Sequence, residues 1–374
     1  MLLVNSAVWS LSLALVGATL LPFVRVPKWW IRVFDYPRLQ IAVGLAGALA
    51  VQPFTTMGRP GGGLLGGVTA VSLLWQAWRM MPYTPLNPVQ APSAAGSGSD
   101  DGGNGISLLI SNVLQDNRSA DRLLAVIAER DPDLILAVET DAWWDRSLAV
   151  LGERYPYAVR HPLENTYGML LYSRLELADV LVQNRVSKDI PSIRARLRLR
   201  SGHWIALHCL HPEPPQVGND VEERDAELLM VGKEVAGSEL PTIVCGDLND
   251  VAWSHTTRLF RRISGLLDPR IGRWFYPTFN ADWWFARWPL DHVFHDASFR
   301  IRGLAVCPHV GSDHFPIFID LLHEPATRPQ RELPMEPGDE EEVKERIERG
   351  REAAFEQGEE PVTGKPAGEP PPER

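Results

Sequence analysis

The 374-residue chain has only three cysteines, Cys209, Cys245 and Cys307, too few and too widely spaced for a disulfide scaffold or a cysteine-based zinc cluster. No disulfide-linked partner is expected. Positive charge is not in excess either: 37 basic against 47 acidic side chains leave a net charge of −10. That balance excludes a protein that coats nucleic acid by charge alone. A nucleotide-type phosphate loop is missing too, because no Lys-Ser or Lys-Thr follows Gly61–Gly63. Charge of any sign is absent from three stretches: Met1–Val24, Leu39–Gly58 and Pro60–Trp78.

Each uncharged stretch is close to the ~20 residues a helix needs to cross a bilayer. Residues 1–81 are therefore expected to be an anchor of about three transmembrane helices, integral to a cell or inner membrane. The first stretch has no basic leader and no clear A-x-A site, which favours a retained anchor over a signal peptide. Pro53 and the glycines are tolerable in such helices, and Trp29, Trp30, Trp75 and Trp78 suit the interfacial aromatic belt. Four of the six basic residues before position 83 lie in the loop 25–38. The positive-inside rule then leans the loop, and with three spans the following domain, toward the cytoplasm; with two spans that domain is exported.

Residues 82–105, rich in Pro, Ala, Ser and Gly, read as a flexible linker. Residues 324–374 read as an acidic Pro/Glu-rich tail, mostly disordered, in which Asp339–Glu356 offers only a weak polar helix.

The middle part, 106–323, reads as a layered α/β domain. Apolar runs at 106–111, 134–138, 168–172, 193–200, 203–210, 242–245, 291–295 and 315–319 predict strands, and 119–130 and 221–235 predict helices. Polar residues recur at the strand ends: Asn112, Glu139, His211, Asp247, Asn249, Asp291, Asp313 and His314. Singly, an Asp or Asn after a strand is a turn former or helix cap. Together they make chemical sense. Glu139 and Asp313 are hard oxygen ligands of the kind Mg²⁺ or Mn²⁺ prefers. Asp291 is placed to orient the His314 imidazole, as a buried Asp does in a hydrolytic triad.

This ordered set, with Gly246-Asp247-Leu248-Asn249, Asp291-His292 and Ser312-Asp313-His314, resembles the endonuclease/exonuclease/phosphatase superfamily over about 106–322. The resemblance implies a four-layer α/β sandwich, two packed mixed β-sheets flanked by helices, preceded here by the transmembrane helices. It implies Mg²⁺ or Mn²⁺ held by Glu139 with Asn112 and Asp313. It implies His314, oriented by Asp291, as general base or charge partner, with Asp247 competing to position or deprotonate the water. Asn249 would bond a phosphate oxygen and His211 the oxyanion, His208 being the alternative. Thr278, in Pro277-Thr278-Phe279, fits a further recurrent element on the substrate side. Two departures stand out: Val138 replaces the usual Gln before the metal-binding Glu, and His211-Pro212-Glu213 replaces the commoner Thr-His-Leu.

Substrate is less constrained. Arg194, Arg196, Arg198 and Arg200 alternate along one strand face, as a phosphate track or a charged sheet edge would. The aromatic segment 274–288, containing Trp283 and Trp284, suits stacking on a base or contact with a membrane interface. The leading expectation is a membrane-anchored phosphodiesterase acting on nucleic acid. The alternatives are a phospholipid or phosphoinositide headgroup phosphoesterase and a catalytically silent binding module.

Overall fold

The computed structural model describes residues 2–94, 102–215, 220–324, 333–358 and 365–366. The chain forms two compact units, one of 1–88, 215–221 and 272–274, the other of 89–214, 222–271 and 275–374.

The first unit is helical: α1 (Leu2–Leu20), the short α2 (Trp29–Arg32), α3 (Arg38–Thr55) and α4 (Gly62–Met80). All three uncharged stretches become helices of 18 or 19 residues, about 28 Å each at 1.5 Å per residue. Among the described residues only Leu3–Phe23, with mean hydropathy 1.6, is both long and apolar enough to cross a membrane. α3 and α4 fall short on composition because they carry glutamines, glycines and hydroxyls in place of aliphatics. Those polar groups face inward. Gln52 Nε2 donates to Ser12 Oγ and Thr69 Oγ1, both at 3.0 Å, and Gln76 Nε2 donates to Thr19 Oγ1 at 3.1 Å. Leu3, Phe54, Leu64 and Leu74 face outward. The basic loop is less free than its sequence implies: Arg32 donates to the carbonyls of Pro22, Val24 and Val26, and Arg38 pairs with Asp35.

The second unit contains β1 (Gly105–Asn112), α5 (Ala120–Arg130), β2 (Leu134–Val138), α6 (Ala142–Ser147), β3 (Tyr157–His161), β4 (Met169–Ser173), β5 (Glu176–Asn184), β6 (Pro191–Arg198) and β7 (Trp204–Leu210). It continues with α7 (Glu222–Ala236), β8 (Thr242–Asp247), α8 (His255–Ser264), β9 (Asp291–His295), β10 (Phe299–Val306), β11 (Ile317–His323), α9 (Asp339–Glu356) and β12 (Lys365–Pro366). Two six-stranded sheets result, in the orders β10-β11-β1-β2-β4-β3 and β12-β5-β6-β7-β8-β9. Alternate residues of both sheets, among them Leu108, Leu136, Ile319, Leu207, Ile243 and Val293, interlock as the central core. The outer face of the first sheet is covered by α5 and α6, that of the second by α7, α8 and α9. This is the four-layer sandwich with two mixed sheets.

Two boundary expectations change. Val89–Ala94 is not a free linker: Gln90 N donates to Ile271 O, Ala94 N donates to Ile301 O, and Ala91 is fully buried. Residues 95–101 of the expected linker lie outside those described. The tail is not wholly solvated either. α9 buries Val343, Ile347, Gly350 and Ala354, and Arg262 clamps Asp339 through two bonds of 2.7 Å. The spacing of those four residues makes a narrow apolar stripe on a helix that is charged elsewhere, which composition alone conceals.

Candidate active site

Among the described residues only two strand pairs are parallel, β1–β2 and β7–β8, one in each sheet. Their crossovers contain α5 and α7, so the carboxyl ends of all four strands open in one direction per sheet. Asn112 is the last residue of β1, Glu139 follows β2, His211 follows β7 and Asp247 ends β8. β9 begins on Asp291, directly opposite Asp247 in the antiparallel register. The loop before β11 brings Asp313 and His314. The eight rim residues thus come from both sheets to one place.

Asn112 joins the sheets. Its Nδ2 donates to Glu139 Oε1 at 2.7 Å and to Asp247 Oδ2 at 3.0 Å, while its Oδ1 accepts the Leu114 N–H. Asn112 therefore orients two carboxylates, and its oxygen accepts from backbone. Glu139 has φ 60° and Asn249 φ 49°, left-handed conformations that cluster at functional sites because only surrounding contacts hold them. Gly246 has φ 141°, and a Cβ there would lie 1.9 Å from Leu210 O, so only glycine lets β8 approach β7 just before Asp247.

His314 Nδ1 and Asp291 Oδ2 are 2.8 Å apart, and His314 Nε2 lies 3.5 Å from Asp247 Oδ2. Burial opposes charge on this imidazole, but the Asp291 and Asp247 carboxylates outweigh it and raise the pKa to about 10. The two carboxylates favour the imidazolium form of His314, with Nδ1–H donating to Asp291 Oδ2. His211, by contrast, is pushed down to about 4 by burial and stays neutral. Its Nε2 is 3.9 Å from both Glu139 Oε1 and Asp247 Oδ2, and its ring lies 5.6 Å from that of Tyr167. His208 lies within β7, its pKa also lowered to about 4 by burial.

Burial raises the Glu139 pKa to about 7, with Asp247 adding to the shift against the Asn112 hydrogen bond. Asp247 is raised by burial and by Asp291, and Asp313 by burial and by Asp247. Such crowded, partly desolvated carboxylates are the environment a divalent cation relieves. Two buried atoms without partners among the described residues, His211 Nδ1 and Asp291 Oδ1, border the same cluster. The donor set of Glu139 and Asp247 beside neutral His211 fits a hard cation. Asp247, Asp291 and His314 also place one ligand atom each within 4.8 Å of one another. That trio couples His314 to the two carboxylates beside the Glu139 site.

Thr278 and Asn249 hold neighbouring backbone in place. Thr278 is fully buried, and its Oγ1 accepts the Leu290 and Asp291 N–H groups at 3.3 and 3.2 Å. It holds the backbone at Asp291. Asn249 Nδ2 donates to Pro212 O at 2.9 Å, tying the His211 loop to the Asp247 loop. Trp283 and Trp284 are exposed, 56% and 81%, on the loop whose Phe279 ring packs 4.8 Å from His314. The arginine stripe is neutralised: Arg194 pairs with Glu234, Arg196 with Asp179, Arg198 with Glu176 and Arg200 with Asp133.

Sequence reasoning missed a buried layer beneath the rim. Asp268 pairs with Arg270, Arg270 Nη2 lies 2.6 Å from His292 Nδ1, and His292 Nε2 lies 2.8 Å from Asp250 O. The Arg224–Asp225 pair on α7 was missed too. Its only signal is a run of charges in a helix where apolar residues would be expected.

The endonuclease/exonuclease/phosphatase family model matches residues 74–314. No curated protein matches the chain in sequence. Among solved structures, humanized D. rerio TDP2 is 16% identical, with 58% of this chain and 99% of that chain covered at TM-score 0.50. The human nocturnin catalytic domain with bound sulfate is 18% identical, covering 59% and 95% at TM-score 0.48. An endonuclease/exonuclease/phosphatase from Beutenbergia cavernae is 17% identical, covering 59% and 72% at TM-score 0.49. With the family match spanning well over half of its length, the chain belongs to the endonuclease/exonuclease/phosphatase family and is a hydrolase of phosphoester bonds.

Proposed function

We propose that this protein is a membrane-held, divalent-metal-dependent phosphodiesterase whose substrate is nucleic acid. The observation that carries the reading is the convergence of Glu139, Asp247 and the Asp291–His314 pair at the ends of strands from both sheets. Glu139 and Asp247 would hold Mg²⁺ or Mn²⁺, with Asp313 beside them, and the cation would polarise the phosphate and neutralise its charge. Asp247, its carboxylate kept basic by burial, orients and deprotonates the attacking water. His314, charged at neutral pH, donates from Nε2 to a phosphate oxygen, while Asp291 holds its ring. Neutral His211 donates to the oxyanion on the opposite side. Trp283 and Trp284 supply exposed faces for stacking an unpaired base.

One observation favours a second substrate class, phospholipid headgroups. The same exposed aromatics, with Phe285, suit a membrane interface, and the neutralised arginine stripe offers no backbone track. Parallel assays with Mn²⁺ on plasmid DNA, single-stranded RNA and phospholipid vesicles decide between them. Cleavage of nucleic acid with intact vesicles is expected; hydrolysis of vesicles alone would reverse the assignment.

The helical unit supports the membrane placement. A glutamine-and-hydroxyl interior with a leucine-rich exterior inverts the usual arrangement of a soluble bundle, and it suits lipid, where interhelical polar contacts face inward. The whole chain is expected to stay in the membrane pellet after alkaline carbonate extraction. Its release to the supernatant would exclude bilayer insertion.

A further inference from the structure

α7 buries charge where a helix normally buries hydrocarbon: Glu223, Arg224, Asp225 and Glu227 are each at most 6% exposed. Buried charges persist only when paired and hydrogen-bonded. The pairing of Arg224 and Asp225 leads to the active site in one direction and to the tail in the other. Arg224 Nη1 donates to the Asn249 carbonyl at 2.8 Å, and its Nη2 donates to Asp225 Oδ1 at 2.7 Å. The second carboxylate oxygen, Asp225 Oδ2, accepts from Thr256 Oγ1 of α8 and from Arg346 Nη1 of α9, both at 2.8 Å.

Asn249 is the residue on which this chain acts. Its backbone is left-handed, φ 49°, a conformation held by contacts rather than preferred. Its N–H donates to Asp247 Oδ1 at 3.0 Å, and its side chain fixes the Pro212 carbonyl next to His211. A small rotation of this residue therefore displaces both Asp247 and the His211 loop.

We propose that Arg224, Asp225 and Arg346 are positioning residues for the hydrolysis, so that α9, in the tail, completes the support of the Asp247–Asn249 loop. Arg346 fixes Asp225, Asp225 fixes the Arg224 guanidinium, and Arg224 holds the Asn249 carbonyl. The tail helix thus contributes to turnover without touching substrate. This inference rests on the Asp247–Asn249 loop being the catalytic one.

The test uses the whole chain with Mn²⁺ and the generic substrate bis(p-nitrophenyl) phosphate, well below the unfolding midpoint. Arg346→Ala is expected to lower kcat about tenfold with KM changed less than twofold, a misplacement effect. Arg346→Lys, which restores a cation, is expected to recover part of the loss. Arg349→Ala is the control for helix truncation, because Arg349 pairs with Glu345 of the same helix, and it is expected to leave kcat unchanged. An unchanged kcat in Arg346→Ala, or a loss that Arg349→Ala reproduces, would overturn the proposal. Should Arg346→Ala not fold, Thr256→Val decides by removing the other donor to Asp225 Oδ2: a several-fold kcat loss supports the proposal and none refutes it. Asp247→Asn is run alongside, so that activity retained there would fault the site assignment and not the tail coupling.

Discussion

Replacing His314 with alanine is expected to lower kcat by about 10²–10⁴, the range for removing a positioned proton donor or acceptor. The Nδ1–Asp291 contact of 2.8 Å fixes the ring, and the two carboxylates hold its pKa up to about 10. The pH profile carries the sharper information. The raised value means that the charged form persists through neutral pH and is lost as pH rises through about 10, so activity falls on that alkaline limb. A bound cation, being positive, would move that limb lower. On the acid side Glu139, raised to about 7, loses its anionic form as pH falls through 7. That limb should move to lower pH as Mn²⁺ is increased, because the cation competes with the proton. Asp291→Asn should lose less than His314→Ala, since the ring remains but its charge is less favoured. An unaltered alkaline limb in His314→Ala, measured from pH 5 to 10.5, would remove the imidazolium from the mechanism.

The second large effect is expected at Glu139. Glu139→Gln keeps the size and one oxygen of the side chain but removes the charge facing Asp247. Loss of several kcal/mol of electrostatic stabilisation corresponds to about 10²–10³ in kcat/KM. Stability should move the other way. A carboxyl whose folded pKa is raised opposes folding once it ionises, so at pH 8 without metal the glutamine variant should be more stable by on the order of 2–3 kcal/mol. Mn²⁺ should then raise the melting temperature of the parent chain and leave Glu139→Gln nearly unmoved. Thermal unfolding at pH 8, with EDTA and with Mn²⁺, checks both signs. Equal stabilisation of both proteins by Mn²⁺ would place the cation elsewhere.

Much of the site was legible because the fold delivers it through strand ends. Five rim residues end or follow an apolar run, Asp291 opens one, and Asp313 and His314 precede one; an apolar run bounded by Asp, Asn, Glu or His is readable without coordinates. What the residues do to one another was not readable. Whether Asn112 offers its oxygen or its nitrogen, and whether Thr278 faces substrate or the Asp291 backbone, depends on a few ångströms set by packing. Four of the missed elements follow a pattern. β3 and β10 are edge strands, and β5 is paired beyond β6 only by the two-residue β12; half-exposed strands carry polar residues that blur alternation. α8 was missed because Arg258, Arg261 and Arg262 interrupt its apolar spacing, though two of them are buried.

The two-sheet arrangement came with the family resemblance; the amino-acid sequence alone determined most of the strands, the residues at their ends and the three uncharged helical stretches. Those properties follow from local periodicity and composition, which each segment carries by itself. Only the tertiary structure decided the pairing of His314 with Asp291, the sharing of Asn112 between sheets, the neutralisation of the arginine stripe and the docking of α9. Each of these depends on groups far apart in sequence: Asp291 lies 23 residues from His314, Asp247 135 from Asn112, and Arg346 121 from Asp225. Charge and hydrogen bonding act through space, so a chain with three cysteines and a net charge of −10 can still gather a site suited to an anion and a divalent cation.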